Sequence, residues 1–190
     1  MDAVEHVLAA GNRLGEGPLW HPDEQALYWV DIEGHAIHRL DPATGAHTVF
    51  AMALPVTALG VRAAGGFLVA TRDGFAFWQP PVSALTFIAD PEADKPNARF
   101  NDGAVDRQGR FWAGTMSDDP TSSLYRLDPD GTVQTMERGL TVSNGLGWSP
   151  DNRTFYYIDS PTRRVQAFDF DLASGALGRG RTLIDFGEQP

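Results

Sequence analysis

The chain contains no cysteine, which excludes disulfides, thiol nucleophiles and thiolate metal sites, although it does not separate cytoplasm from periplasm. No apolar stretch approaches the ~18 residues that a membrane span needs. The opening MDAVEHVLAAGN carries acidic residues where a secretion leader would be basic and then apolar. A cytoplasmic location and no membrane partner are the resulting expectations. Several catalytic signatures are also missing: there is no serine in Gly-x-Ser-x-Gly, no His-Glu-x-x-His, no phosphate-cradling Gly-Lys-Ser/Thr and no dinucleotide fingerprint opening a helix. Serine hydrolases of that type, zincins and nucleotide enzymes fall with them. Positive charge is scarce, 15 Lys and Arg against 25 Asp and Glu, and the net charge of −10 repels nucleic acid.

What is present is an aromatic, turn-rich β sequence. Of the 190 residues 42% are hydrophobic and 11% aromatic, enough to bury a substantial core, while 20 Gly and 13 Pro cut the chain into short segments without a helical period. The fold class expected is all-β. Residues 17–41, GPLWHPDEQALYWVDIEGHAIHRLD, return at 145–169 as GLGWSPDNRTFYYIDSPTRRVQAFD. Trp20, Pro22, Asp23, Tyr28 and Asp31 recur as Trp148, Pro150, Asp151, Tyr156 and Asp159, a constant shift of 128 residues. Two looser copies lie between, beginning near Thr57 and Asn101.

Gly17, Gly60, Gly103 and Gly145 mark equivalent points at spacings of 43, 43 and 42 residues. A period of ~40–50 residues with four short strands per copy is that of a β-propeller blade. The whole of residues 1–190 therefore reads as one partial β-propeller domain with about four blades. A sandwich or solenoid of degenerate hairpins is the alternative, and the regular period disfavours it. The segment Val4–Ala9 reads as a lone strand outside the repeat. A missing last blade would leave a sheet edge open, with possible self-association through it.

The innermost strand of a blade lines the central axis, so the residues just before the four glycines, Glu16, Leu59, Asp102 and Asn144, should converge on its mouth. Glu16 and Asn144 hold matching positions in the two closest repeats, again 128 residues apart. A carboxylate and an amide oxygen suit a hard divalent cation, calcium, magnesium or manganese, with zinc also possible. The run Asn97–Met116, NARFNDGAVDRQGRFWAGTM, adds Arg99, Asn101 and Asp102 just before a hairpin. Arg99 and Asn101 supply donors for a polar substrate's hydroxyls or carboxylate-like oxygens, or Arg99 simply pairs with a nearby aspartate. Asp118 and Asp119 follow in a loop that could overhang the same mouth. Of the five histidines, His35 and His38 are expected at the solvated surface.

LGEGPLWHPDEQALYWVDI at 14–32, the NARFNDGAVDRQGRFWAGTM run and TVSNGLGWSPDNRTFYYIDS at 141–160 together resemble the senescence marker protein / gluconolactonase / regucalcin-like family of sugar lactone hydrolases. The resemblance implies a six-bladed propeller with one divalent metal in the axial channel, hydrolysing a small-molecule sugar lactone to the aldonic acid. It implies Glu16 and Asn144 as metal ligands and Arg99 and Asn101 as substrate-binding residues. It also implies a third ligand and general base, an aspartate in a Pro-Asp-Gly motif. Pro190 matches that proline and the sequence stops there, so no catalytic residue is assigned in this chain and its own activity stays open. Two other functions compete: a phosphotriesterase on a related propeller, and a non-catalytic propeller that binds a partner on its rim.

Overall fold

Four copies of one antiparallel meander build the molecule, and the computed structural model describes residues 4–187. The first sheet contains β1 (Gly15–His21), β2 (Ala26–Asp31), β3 (Ala36–Leu40) and β4 (His47–Ala51). The second contains β5 (Val56–Val61), β6 (Phe67–Thr71), β7 (Gly74–Trp78) and β8 (Leu85–Ala89). β9 (Arg99–Val105), β10 (Phe111–Met116), β11 (Ser122–Leu127) and β12 (Val133–Leu140) form the third. The fourth is β13 (Ser143–Trp148), β14 (Thr154–Asp159), β15 (Arg164–Asp171) and β16 (Ala176–Asp185). Within each sheet neighbours in sequence are neighbours in space. The described helical content is a single 3₁₀ turn, Ser160–Thr162. This is a β-propeller with four blades, and Gly17, Gly60, Gly103 and Gly145 fall in β1, β5, β9 and β13.

The blades pack face to face because every second side chain of the middle strands is large and apolar. One cluster joins the first two blades through Tyr28, Val30, Ile37, Phe67 and Trp78. A second joins the next pair through Phe75, Phe100, Phe111 and Tyr125. The third sets Trp112 against Phe155, Tyr157, Phe168 and Phe170. Inner strands consequently stand side by side in chain order, β1 against β5, β5 against β9 and β9 against β13.

On the face away from the candidate site, two buried arginines tie the third blade to the fourth. Arg110 Nε donates to Asp106 Oδ2 at 2.6 Å while its Nη2 reaches the Leu172 carbonyl at 2.7 Å. Arg126 pairs with Asp128 and donates through Nη1 to the Ser174 and Gly175 carbonyls at 3.0 and 2.9 Å. Asp128–Gly131 is thus a turn with a structural partner. Arg110→Ala leaves the buried Asp106 carboxylate without its cation and should cost about 3 kcal/mol. Arg164→Ala, which breaks an exposed pair with Asp185, should cost less than about 1 kcal/mol. Urea denaturation of the two variants checks the contrast.

Two expectations change. Val4–Ala9 forms no strand, since no sheet edge among the described residues pairs with it. His38 is 4% exposed rather than solvated. Its ring packs against Trp29 and His47, at 4.9 and 5.1 Å, in a cluster where those two also stack on each other, and Asn12 from the entering segment closes over it at 3.0 Å. His35 is exposed as expected. Burial first, and then the neighbouring His47, hold the His38 pKa below its ordinary value. A depressed histidine pKa makes the folded state bind fewer protons than the unfolded one, so its contribution is full above about pH 6.5 and lost as pH falls below it. Denaturation midpoints should drop between pH 7.5 and pH 5.5, and the drop should be smaller in His38→Gln.

Candidate functional site

The mouth is shaped by irregularities that recur at the inner strands. β1 slips register against β2 between Glu16 and Leu19, and β13 slips against β14 between Asn144 and Leu146. Gly17 and Gly145 sit at these bulges, both with φ +57°. A side chain there would be strained, and the bulge re-aims the preceding residue. Glu16 and Asn144 are therefore displayed by the same backbone device.

Asp31 and Asp159 set the approach to each bulge. Asp31 accepts the Arg13 and Leu14 amides at 3.0 and 2.9 Å, and the Gly34 amide at 3.0 Å. Asp159 accepts the Val142 amide at 2.8 Å and the Thr141 amide at 3.3 Å. Burial disfavours the Asp31 charge, but the amides of Leu14, Arg13 and Gly34 hold its pKa below the usual carboxylate range. The repeated aspartate visible in the sequence has this positioning task, which the repeat alone does not reveal.

Glu16 is exposed, and its side chain makes no hydrogen bond with a described residue. Asn144 is partly buried; its Oδ1 accepts only the adjacent Gly145 amide, at 3.1 Å, and its Nδ2 reaches Ser160 Oγ at 3.4 Å. A carboxylate and an amide oxygen with little competing engagement are the kind of donors a hard divalent cation takes. No group of three or more His, Asp or Glu side chains among the described residues is placed to hold a metal ion.

The third blade leans on the fourth through two side chains of β9, Asn101 and Asp102, with Arg99 held against Asn101. Arg99 Nη1 donates to the Phe100 carbonyl at 2.8 Å and to Asn101 Oδ1 at 3.3 Å. Asn101 Nδ2 donates to the Ser143 carbonyl at 2.9 Å. Asp102 receives the Gly103 amide on Oδ1 at 2.8 Å and the Gly145 amide on Oδ2 at 2.9 Å. Asp102 thereby grips the bulge that carries Asn144. Leu59 takes its place in the buried core between the first two blades and brings no polar atom to the mouth.

Arg99 forms no ion pair with a described carboxylate, so the aspartate pairing weighed above is not its state. Its pKa is pulled down by burial, while the Glu33 charge acts in the opposite sense. Glu33, in the turn after β2, is a carboxylate that sequence reading missed.

A cavity of about 360 Å³ opens beside Arg99, lined also by Arg72, Asn97, Ser117 and Asp118. Asp118 and Asp119 line a neighbouring cavity with Lys95 and Asn97. The two aspartates therefore come to the same face as Arg99, with Asp118 beside it. Loop 90–98 is anchored by the buried Glu92, which accepts the Tyr125 hydroxyl at 2.6 Å and pairs with Lys95 at 2.8 Å. Burial, and then this bond to Glu92, push the Tyr125 pKa up to about 12, so the phenol stays a donor.

A propeller whose inner strands β1, β9 and β13 display Glu16, a half-buried Arg99 and Asn144 is the class of protein defined so far. Residues 14–190 match the SMP-30/Gluconolactonase/LRE-like region, and the chain belongs to that family. It is 39% identical over 188 residues to regucalcin of Gallus gallus, covering 95% of this chain and 63% of that protein. It is 36% identical over 191 residues to pentonolactonase XacC of Haloferax volcanii, covering 98% and 64%. The crystal structure of a calcium-binding protein, regucalcin, from Agrobacterium tumefaciens superposes with a TM-score of 0.86 at 30% identity, covering 92% of this chain and 60% of that one. The chain thus spans less than two thirds of the length of the curated relatives it matches. The Pro190 match lies outside the described residues, and none of the described helices is long and apolar enough to cross a membrane.

Proposed function

We propose that this chain carries most of the substrate mouth and part of the metal site of a sugar lactone hydrolase that opens a lactone ring to the aldonic acid. The observation that carries the reading is the linked set Arg99, Asn101, Asp102 and Asn144, fixed across two blades by hydrogen bonds. The names borne by its relatives, pentonolactonase and putative sugar lactone lactonase, support it.

Glu16 and Asn144 would hold one divalent ion, calcium or zinc, with magnesium or manganese as alternatives. Bound there, it would polarise the lactone carbonyl and favour the negative charge that develops on its oxygen. Arg99 has a fork of N–H donors, only Nη1 of which is engaged within the described structure, so it can orient ring and chain hydroxyls. Asn101 has both amide atoms occupied, and holds Arg99 in place as much as it meets substrate. Asp102 acts one step back, fixing the Asn144 strand. The base that activates water is not assigned to a residue of this chain.

The test is proton release from gluconolactone and xylonolactone, followed with a pH indicator with and without calcium or zinc, beside a phosphotriester substrate. Metal-dependent acid release from the lactones, with the phosphotriester untouched, is the expected result. Turnover of the phosphotriester alone points to the second hydrolytic reading, and no turnover of either lactone overturns the first.

A further inference from the structure

The cavity beside Arg99 has a second cation in its wall. Arg72 lies in the turn that follows β6, and that turn is held firmly. The Arg72 amide donates to the Pro55 carbonyl at 3.2 Å, Thr71 Oγ1 donates to the Gly74 carbonyl at 2.8 Å, and Thr71 Oγ1 receives the Asp73 amide at 3.0 Å. The Arg72 guanidinium makes neither an ion pair nor a hydrogen bond among the described residues. Arg99 lines the same cavity from the start of β9, directly after the loop that Glu92, Lys95 and Tyr125 fix. Pro55, Pro96 and Met116 supply apolar wall between the two.

Arg72 is exposed and Arg99 partly buried, and neither guanidinium lies within ion-pair distance of a described carboxylate, so an anion entering the cavity meets two cations that no direct contact neutralises. Nothing in the overall charge of −10 attracts an anion, so the attraction must be local. Planar or tetrahedral oxyanions suit the guanidinium fork, which binds carboxylate and phosphate through paired N–H donors. Asp118 lines the same cavity and repels an anion near it, which confines the charge to the arginine side and leaves Asp118 to accept from a hydroxyl. Neither Glu16 nor Asn144 lines this cavity.

We infer that the Arg72/Arg99 cavity is a subsite for an oxyanion carried by the sugar, so that the preferred substrates are acidic sugar lactones bearing a second carboxylate or a phosphate. The lactone part of this statement rests on the function proposed above, whereas the anion subsite stands on the cavity itself. Carboxylate and phosphate share the required chemistry, and the probes separate them.

The experiment is calorimetric titration of the chain with methyl glucoside, methyl glucuronide, methyl glucoside 6-phosphate and inorganic phosphate. None of these is a lactone, so binding is read without hydrolysis. At least tenfold tighter binding of the glucuronide or the sugar phosphate than of the neutral glycoside is expected, and the tighter of the two identifies the anion. Arg72→Gln should remove most of that preference and leave binding of the neutral glycoside unchanged. Arg107→Gln, in an exposed turn on the opposite face, should change nothing. Equal binding of neutral and anionic glycosides, an unchanged preference in Arg72→Gln, or phosphate alone binding as tightly as the sugar phosphate would each overturn the inference. If the anion preference holds while no lactone is hydrolysed, only the proposed function fails; lactone hydrolysis without an anion preference leaves that function standing and removes the subsite.

Discussion

Gly114→Ala is expected to destabilise the protein by about 3 kcal/mol, lowering the melting temperature by roughly 10 °C, or to prevent folding. Gly114 lies in the middle of β10, paired with Leu124. A methyl group there would overlap both Oγ and Cβ of Ser143, the first residue of the neighbouring inner strand. Ser143 is fully buried, so it has nowhere to move without displacing β13. Its carbonyl is also the acceptor for Asn101, and Asn144 follows it in the chain. The overlap therefore damages the mouth and the blade contact together. Because the clash is with the Ser143 side chain, Gly114→Ala combined with Ser143→Gly should recover much of the lost stability. Ser143 Oγ meets no partner at hydrogen-bond geometry among the described residues, the nearby Tyr157 hydroxyl included, so Ser143→Ala alone should be close to neutral. Thermal melts of the three variants decide the matter, and a stable Gly114→Ala protein would show that the blades are less tightly joined than described.

Glu16→Gln carries the second large effect. The substitution keeps shape and removes one negative charge from an exposed side chain that bonds to no described residue, so the melting temperature should not change. Divalent metal affinity should fall on the order of 100-fold, because oxygen sites are tuned by the charge their ligands carry. Lactone hydrolysis at limiting metal should fall with it, and excess metal should restore part of the rate if the carboxylate acts through the ion. A loss of rate that excess metal leaves untouched would place Glu16 in a different role.

Much of the architecture was legible because a propeller repeats its chemistry. Asp31 and Asp159 recur at one shift because each accepts the backbone amides that lead into its bulge. The matched aromatics, in contrast, differ in burial: Tyr28 is buried and Tyr156 only partly so, and Trp20 is exposed where Trp148 packs on Trp112 and Phe155. The turn glycines recur with the bulges, and the left-handed backbone at Gly17 and Gly145 gives the match of Glu16 and Asn144 a physical basis. Contributions from other blades were not legible. Arg72 and Glu33 belong to turns with no unusual composition, and only the ring of blades brings them near Arg99. His38 was misread for a related reason: its strand is near an edge, but Asn12, 26 residues earlier, folds over it. Local pattern shows which face of a strand is apolar, whereas cover supplied by a distant segment depends on the closed three-dimensional path.

The most direct test of the central claim is a calorimetric titration of calcium, and then of zinc, into the purified chain and into Glu16→Gln and Asn144→Ala. The account predicts one saturable, chelator-reversible site per chain, weakened in both variants while their melting temperatures without metal stay unchanged. No saturable binding to the wild-type chain, or binding that neither substitution alters, would contradict it.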